Sequence, residues 1–580
     1  MTGSLHPNII KDASTGSAGV VAGELAAEDA GLINDATLKS HNYGSVETST
    51  SGSTSPVETH SEDSDFAMPK AQVYVVISSL YMSSYLAALD ATVVTTLLSI
   101  IASDLNAVAR ISWIATAYLL SCAAFQPLFG KLSDIFGRKP LLMVCCFCFA
   151  IGCFICSTDS LLMLVIGRFV TGIGGGGLTA LGTITMSDIV PLRSRGLYQG
   201  LGNVCFGLGA ASGGVLGGVV ADLLGWKYVF LLQVPLAMLV GIAIYFNLNL
   251  PAGSPGLGAY GSDMSTKLKR VDFLGSFLLV TSLMGVMAAA SFGGRDIAYD
   301  SVLFISLVVI SCVLLLAFAY VELYVSPEPV IPVELLAERT VLSSSLTNWF
   351  YTMGVFTYLF YVPIYFTSVL GLSATENGLR LVPNFLATST GSVGAGLYMK
   401  ATGRYYKLAV ATGILALFGV TNVSFISPRI SLVNQFLLQL PQGMAYSSIL
   451  TITLLSLIAA VPSKYQACTT SIQYTFRATG STLGVSIASA IFQNILKTNL
   501  SSKIYELISD PLKAAIVLEN ALENAQYAQT APHAIRDAII DSYGIACKGA
   551  FAFAGATVAL GVLTSLFMRE HVLHTSMSRD

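Results

Sequence analysis

From residue 71 onward, the chain consists mainly of apolar runs separated by short polar segments. Most runs have about 20 residues, which as an α-helix is enough to cross the ~30 Å hydrocarbon core of a bilayer. The pattern predicts an all-α membrane protein with fourteen spanning helices. Their predicted ranges are 72–101, 111–130, 140–157, 161–187, 198–222, 229–248, 272–293, 301–324, 343–368, 378–398, 408–427, 434–459, 468–495 and 546–567.

The segment 1–70 differs from the rest of the chain because it is rich in Ser, Thr, Gly and acidic residues. Burial of its few apolar residues cannot offset the entropy that the segment would lose on ordering. We therefore predict a disordered tail. A cleavable signal peptide is not expected, since no positively charged start precedes a short apolar run. Glu28, Leu32 and Ile33 resemble an acidic dileucine motif, which implies that an adaptor protein sorts the chain to a lysosome-like compartment.

The distribution of basic residues predicts the orientation in the membrane. Lysines and arginines are more frequent in the short loops on the side of the tail than in those on the opposite side. Cytosolic loops carry this excess, so the tail and residues 568–580 are predicted to be cytosolic. The long polar loop 496–545 is then lumenal and can form helices, and glycosylation is predicted at the sequon that begins at Asn499.

Composition narrows the class of protein further. Hydrophobic residues make up 54% and charged residues 11% of the 580-residue chain, whereas soluble domains carry roughly 25% charged residues. A soluble enzyme is therefore excluded, and a net charge of −3 gives no basic surface for nucleic acid. The ten cysteines lie almost wholly in apolar runs without metal-ligand spacing to histidine, so no disulfide, metal or cofactor is expected.

Two predicted cytosolic loops share one pattern, a glycine followed seven places later by Gly-Arg. The first reads GKLSDIFGR from Gly130 to Arg138, and the second reads GLYMKATGR from Gly396 to Arg404. Glycines let helix ends approach closely, and the arginine can cap carbonyl groups or pair with a carboxylate. The repeat indicates two six-helix bundles in the same orientation.

The two bundles are predicted at 71–250 and 343–567, joined by a linker with two extra helices at 251–342. Parallel halves of six helices are the plan of the major facilitator superfamily. The segment GKLSDIFGRKP at 130–140 resembles that superfamily's loop between its second and third helices. The resemblance implies a gating latch between the halves on the cytosolic side. The residues of this latch are Gly130, Asp134, Gly137 and Arg138.

Two further segments resemble motifs of the same superfamily. LVIGRFVTG at 164–172 resembles its arginine-bearing motif of the fourth helix, and GAASGGVLGG at 209–218 resembles its glycine-rich antiporter motif. The second match departs from the motif at Gly214, where the motif has proline. The glycines that match are Gly209, Gly213, Gly217 and Gly218.

With fourteen spans and a long last outer loop, the chain resembles the fourteen-helix drug:proton antiporter branch. Within that branch, FQPLFGKLSDIFGRK, SDIVPLRSRGLYQGLGNVCFGLG and GWKYVFLLQVP resemble the fungal vacuolar basic amino acid transporters. The resemblance implies proton antiport that carries lysine, arginine and histidine from the cytosol into the vacuole. A multidrug or siderophore exporter at the plasma membrane has the same fold, and a nutrient receptor that binds without transport is a third interpretation.

Ionisable residues at the bilayer centre cost about 3 kcal/mol or more, so each requires a reason. Asp90 is the one carboxylate predicted at mid-depth, and Arg168 and Arg477 are the cations predicted within spans. Asp90 facing Arg168 can carry the coupling proton, bind a cationic substrate, or form a structural ion pair. Arg477 can bind a substrate carboxylate, or it can reach the cytosolic interface or bond to helix carbonyls. Four acids are predicted at span ends, solvated by water and head groups: Asp188, Asp222, Asp272 and Glu322.

Polar and aromatic residues of the second bundle complete the candidate site. Tyrosine hydroxyls and amides suit a zwitterionic substrate and ring faces suit a cation, while an aromatic belt at the membrane interface explains part of the set. A small-molecule substrate and protons are the predicted partners. Besides Arg477, the candidate substrate-binding residues are Gln473, Asn348, Tyr358, Tyr361, Gln442 and Tyr446.

Overall fold

The computed structural model describes residues 68–105, 112–250, 254–259, 261–294, 297–372, 374–462, 465–508, 510–523, 527–571 and 573. Within these residues the secondary structure is helical, apart from one isolated bridge between Gly293 and Ile297, which confirms the all-α prediction. The predicted sorting residues Glu28, Leu32 and Ile33 lie outside the described residues.

The first bundle contains two very short connections between long helices. Gly137 and Gly225 adopt φ angles of 95° and 100°, a region that costs glycine little because it has no Cβ. One residue is therefore enough to separate α2 from α3 and α5 from α6. The helices are α1 (Lys70–Asp104), α2 (Ser112–Phe136), α3 (Arg138–Cys156), α4 (Leu161–Ile189), α5 (Leu192–Leu224), α6 (Trp226–Leu231) and α7 (Gln233–Asn247).

The linker between the bundles contains a pair of packed apolar helices, α9 and α10. Side chains of Asp272 and Ser301 accept hydrogen bonds from backbone N–H groups in the first turns of α9 and α10 and so cap them. Most apolar side chains of α10 are exposed, which in a membrane means contact with lipid. The linker helices are α8 (Met264–Lys269), α9 (Phe273–Phe292), α10 (Val302–Tyr324) and α11 (Val333–Ala337).

The second bundle includes additional helices in the predicted outer loop. The 42-residue helix α17 continues well into the interval 496–545, which is largely helical in its described part. The helices are α12 (Arg339–Ser368), α13 (Ala374–Thr402), α14 (Tyr406–Ser424), α15 (Leu432–Leu437), α16 (Leu440–Ala460), α17 (Gln466–Leu507), α18 (Pro511–Glu523), α19 (Tyr527–Thr530) and α20 (His533–Ser565).

Within the described residues, 11 helical stretches are long and apolar enough to cross a membrane. The spans predicted at 343–368, 378–398 and 468–495 are helical too, inside α12, α13 and α17, but are not among the 11. These three helices carry many Ser, Thr, Asn and Gln residues, and α12 is buried along most of its length. Helices that are shielded from lipid by other helices can span a membrane with less apolar surface. The count of fourteen spans stays a prediction.

Candidate functional site

The structure brings the two charged residues predicted in the first bundle into direct contact. Nη1 of Arg168 in α4 donates a hydrogen bond to Oδ2 of Asp90 in α1 over 2.6 Å. The exposed fractions of the two side chains are 1% and 0%, so water does not screen the pair. The pair is a buried ion pair that ties α1 to α4.

Aromatic and amide groups surround this ion pair. The Arg168 guanidinium lies over the ring of Tyr118 in α2, 4.3 Å from its centroid, and Gln233 of α7 also faces the Asp90 carboxylate. Within the described part of the chain, Oδ1 of Asp90 and Nε of Arg168 have no hydrogen-bond partner. Of these two atoms, Oδ1 of Asp90 is an acceptor and is therefore the one that can take up a proton.

A second site lies between the two bundles. A cavity lies between α5 of the first bundle and α13, α16 and α17 of the second. Arg477 and Tyr446 belong to its wall, and the guanidinium lies 5.9 Å from the Tyr446 ring centroid. Asp90 and Arg168 are not among the residues of this wall. A ligand in this cavity therefore does not touch Asp90. If Asp90 binds the proton, the proton and a substrate in this cavity occupy separate places. If Asp90 binds a cationic substrate, that substrate must lie outside this cavity.

The other predicted substrate residues pack inside the second bundle. Gln473 donates to Oγ1 of Thr453 over 3.1 Å, and Asn348 donates to the carbonyl oxygen of Gln473 over 3.4 Å. The ring centroids of Tyr361 and Phe492 are 5.0 Å apart. Gln442 and Tyr358 are buried as well. Of the predicted set, the cavity wall thus includes Arg477 and Tyr446.

Sequence reasoning missed several residues of the cavity and of the ion pair. Asn203 of α5 lines the cavity and also donates to Ser392 of α13 over 2.8 Å, which joins the two bundles. An amide within an apolar helix is a signal that points to such a position. The rings of Phe206 and Phe385 on the cavity wall carry no comparable signal. Tyr118 was indistinguishable in sequence from an ordinary buried tyrosine.

Asp134 and Arg138 of the predicted latch belong to a charge cluster at the junction of α2 and α3, in which Arg138 is buried and Asp134 is partly exposed. Arg138 donates to Asp134 over 2.6 Å and to Asp188 of α4 over 3.0 Å. Asp188 is 2% exposed and Glu322 is 5% exposed, so the prediction that these two acids are solvated at span ends is wrong. Each is buried with a partner instead, Asp188 with Arg138 and Glu322 with the N–H groups of Val330 and Ile331.

The first glycine of each repeated loop lies where the two bundles meet. A Cβ on Gly130 would overlap Ala467 of α17, and a Cβ on Gly396 would overlap Gly196 of α5. Arg193 of α5 donates to the carbonyl oxygens of Lys400 and Ala401 in α13, over 2.6 and 2.8 Å. The bundles are therefore in close contact at the end that carries the repeated loops.

The antiporter-like glycines separate into two groups. A Cβ on Gly209 would overlap the backbone of Tyr85, and a Cβ on Gly213 would overlap Thr92, both in α1. Gly217 is also buried, whereas a Cβ on Gly218 would meet open space. The motif thus allows α5 to approach α1, the helix that carries Asp90.

The predicted glycosylation residue lies inside a helix. Asn499 belongs to α17 and is half-buried, and its side-chain amide donates to the carbonyl oxygen of Ile495 over 2.9 Å. Glycosylation at this residue stays a prediction.

Comparison with known proteins gives one family and close relatives. Residues 80–485 match the sequence profile of the Major Facilitator Superfamily. The multidrug resistance protein fnx1 of Schizosaccharomyces pombe is 35% identical over 87% of this chain and 94% of its own. The vacuolar membrane amino acid uptake transporter fnx2 of the same organism is 34% identical over 86% and 84%. Vacuolar basic amino acid transporter 1 of Saccharomyces cerevisiae is 29% identical over 90% and 96%.

Proposed function

Since the chain belongs to the Major Facilitator Superfamily, we propose that it is a proton-coupled transporter of the vacuolar membrane. It carries lysine, arginine and histidine from the cytosol into the vacuole in exchange for lumenal protons. The protein is a multi-pass membrane transporter and not an enzyme. The substrate, the proton and the membrane belong to the proposal.

The observation that carries the proposal is the buried ion pair of Asp90 and Arg168. A carboxylate in this position loses most of its attraction to Arg168 when it takes up a proton. Proton uptake from the lumen then loosens α1 from α4, and proton release restores the contact. The pair therefore converts a change in protonation into a change in helix packing.

Helix packing offers a route from the ion pair to the cavity. Helix α1 packs on α5 at Gly209 and Gly213, and α5 contributes Asn203 to the cavity wall. A movement of α1 relative to α4 is transmitted to the wall because close-packed helices move together rather than compress. In this mechanism the proton and the substrate occupy different places and act on one another through α5.

The relatives support the substrate class and the membrane. One relative is named a vacuolar basic amino acid transporter and another a vacuolar membrane amino acid uptake transporter. With this location, both termini lie in the cytosol and Asn499 lies on the lumenal side. The residues Glu28, Leu32 and Ile33 would then be available to a cytosolic sorting adaptor.

Uptake of radiolabelled lysine, arginine and histidine into sealed vacuolar vesicles energised with ATP tests the proposal. We expect uptake to be lower in vesicles from a deletion strain than in wild-type vesicles. We also expect a proton uncoupler to lower uptake in wild-type vesicles. Uptake that is indifferent to both treatments contradicts the proposed function.

The alternative function is drug or siderophore export at the plasma membrane, and the multidrug resistance relative at 35% identity favours it. A fluorescent fusion of the full chain distinguishes the two functions by its location. Vacuolar fluorescence that is lost when Leu32 and Ile33 are replaced by Ala supports the proposal and the sorting motif together. Fluorescence at the plasma membrane supports the exporter.

A further inference from the structure

Among the described residues that line the cavity between the bundles, one has a charged side chain. This group is the guanidinium of Arg477, which is 3% exposed and faces the ring of Tyr446. The remaining polar groups of the wall are neutral and come from both bundles. They are the side chains of Asn203, Thr388, Ser389 and Ser447, together with the Tyr446 hydroxyl.

We propose that Arg477 binds the carboxylate of the transported molecule, so that the cavity selects small carboxylate-bearing compounds. A guanidinium presents two parallel N–H groups that match the two oxygens of a carboxylate, and this contact is strong where water is scarce. The pocket lies between helices of both bundles and combines aromatic rings with a few polar groups, as small-molecule sites commonly do. The identity of that carboxylate as a basic amino acid rests on the proposed function.

The opposite end of the substrate meets a different surface. The described residues of the wall include no Asp or Glu, and Phe206 and Phe385 contribute aromatic rings from α5 and α13. A lysine or arginine side chain in this cavity is therefore held by ring faces and hydroxyl groups rather than by an ion pair. Cation–π contacts are weaker than charge-assisted hydrogen bonds. The cavity consequently discriminates more strongly for the carboxylate than for the charge of the side chain.

Competition in proteoliposomes that contain the full chain tests both statements. Unlabelled lysine is compared with lysinamide, which lacks the carboxylate, and with norleucine, which keeps the carboxylate but lacks the side-chain amine. For the wild type we expect lysinamide to inhibit labelled lysine uptake about 10- to 100-fold less strongly than lysine, as for the loss of one charge-assisted contact. Norleucine should lie within about tenfold of lysine.

Substitutions of Arg477 test whether this residue causes the preference for lysine over lysinamide. Arg477→Gln should remove the difference between lysine and lysinamide, and Arg477→Lys should retain part of it because the charge remains without the fork. Arg429→Gln is the matched control, since Arg429 is an exposed arginine in the turn before α15. This control should leave the lysine-to-lysinamide ratio unchanged.

Thermal stabilisation of the purified full chain by lysine and by lysinamide provides a second readout that requires no flux. Stabilisation by lysine that depends on Arg477, without lysine transport, contradicts the proposed function and leaves the carboxylate site standing. The carboxylate site is overturned if neither readout prefers lysine over lysinamide in the wild type. A preference that persists in Arg477→Gln overturns it as well.

Discussion

Asp90 is the residue at which proton coupling can be separated from transport. Asp90→Asn keeps the size of the side chain but removes its charge, and it leaves Arg168 buried and unpaired, at a cost of about 3–5 kcal/mol of stability. We expect lysine accumulation driven by a pH gradient to collapse, whereas lysine counterflow, which needs no net proton movement, persists in the folded fraction. The measurements are both uptake modes in proteoliposomes and the melting temperature.

The double variant Asp90→Asn/Arg168→Gln is the control for that loss of stability. Because the double variant leaves no unpaired charge at the Asp90–Arg168 site, most of the lost stability should return, but the coupling should not. Accumulation in response to a pH gradient by either variant would show that the proton is carried elsewhere. The buried carboxylate of Asp188 is then the next candidate.

At the scale of elements, α1 and α5 pack closely because α5 has glycines, which carry no side chain, at the contact. Gly209→Leu places a side chain against the backbone of Tyr85 in α1, whereas Gly218→Leu places one in open space. Overpacking of this kind costs about 1–3 kcal/mol. We expect Gly209→Leu to reduce proton-driven lysine uptake at least about tenfold, and Gly218→Leu to leave it near wild type. Equal uptake by the two variants, at matched protein levels, contradicts the transmission of movement through α5.

An ion cluster joins the linker to the predicted latch loop. Glu328 accepts hydrogen bonds from Lys131 at the end of α2, over 3.1 Å, and from Arg270 before α9, over 2.7 Å. Burial by itself raises the pKa of Glu328, but the hydrogen bonds and charges of Arg270 and Lys131 outweigh it and lower that pKa. The cluster is partly exposed, so its contribution is at most about 1 kcal/mol and is weakened by salt.

This lowered pKa gives the cluster a defined pH dependence. A group whose pKa is lower in the folded state stabilises the fold above its unfolded value of about 4.3 and loses that effect as the pH falls through the folded value. Glu328→Gln should therefore lower the melting temperature by a few degrees at most at pH 7, and the difference from wild type should fade toward pH 3. Glu334→Gln, which alters an exposed acid of α11, should match the wild type throughout. A difference that does not depend on pH would contradict the ion cluster.

At the scale of the whole molecule, the two bundles are in close contact at the end that carries the repeated loops, and Gly396 allows this contact because it has no side chain. Gly396→Val inserts a side chain against Gly196 of the other bundle, while Gly394→Val, on the same helix, meets open space. A side chain at this contact prevents the two bundles from meeting at this end of the molecule. Both proton-driven uptake and counterflow should therefore fall at least about tenfold. This pattern differs from that of Asp90→Asn, in which counterflow persists. Normal counterflow in Gly396→Val would show that transport does not require this contact.

The family, the all-α fold and the repeat of the two bundles followed from the sequence, and the family profile confirms the resemblance. These features are local: a span needs only a run of apolar residues, and a turn between helix ends needs only a glycine at the right place. The second glycines of the two repeated loops, Gly137 and Gly403, indeed have φ angles of 95° and 67°. The sequence also identified Asp90, Arg168 and Arg477, because charges are rare and costly within spans.

The tertiary structure decided which of these residues face one another. Asp90 and Arg168 are 78 residues apart, and their contact depends on how α1 packs against α4. The sequence placed Gln473 and Arg477 in one candidate set, four positions apart on α17, but Gln473 bonds to α16 while Arg477 lines the cavity. Likewise, Asp188 lies at the end of its helix yet is buried, because Arg138 reaches it from the start of α3. Depth along a helix can be read from sequence, whereas the direction of a side chain is fixed by neighbouring helices that are distant in the chain.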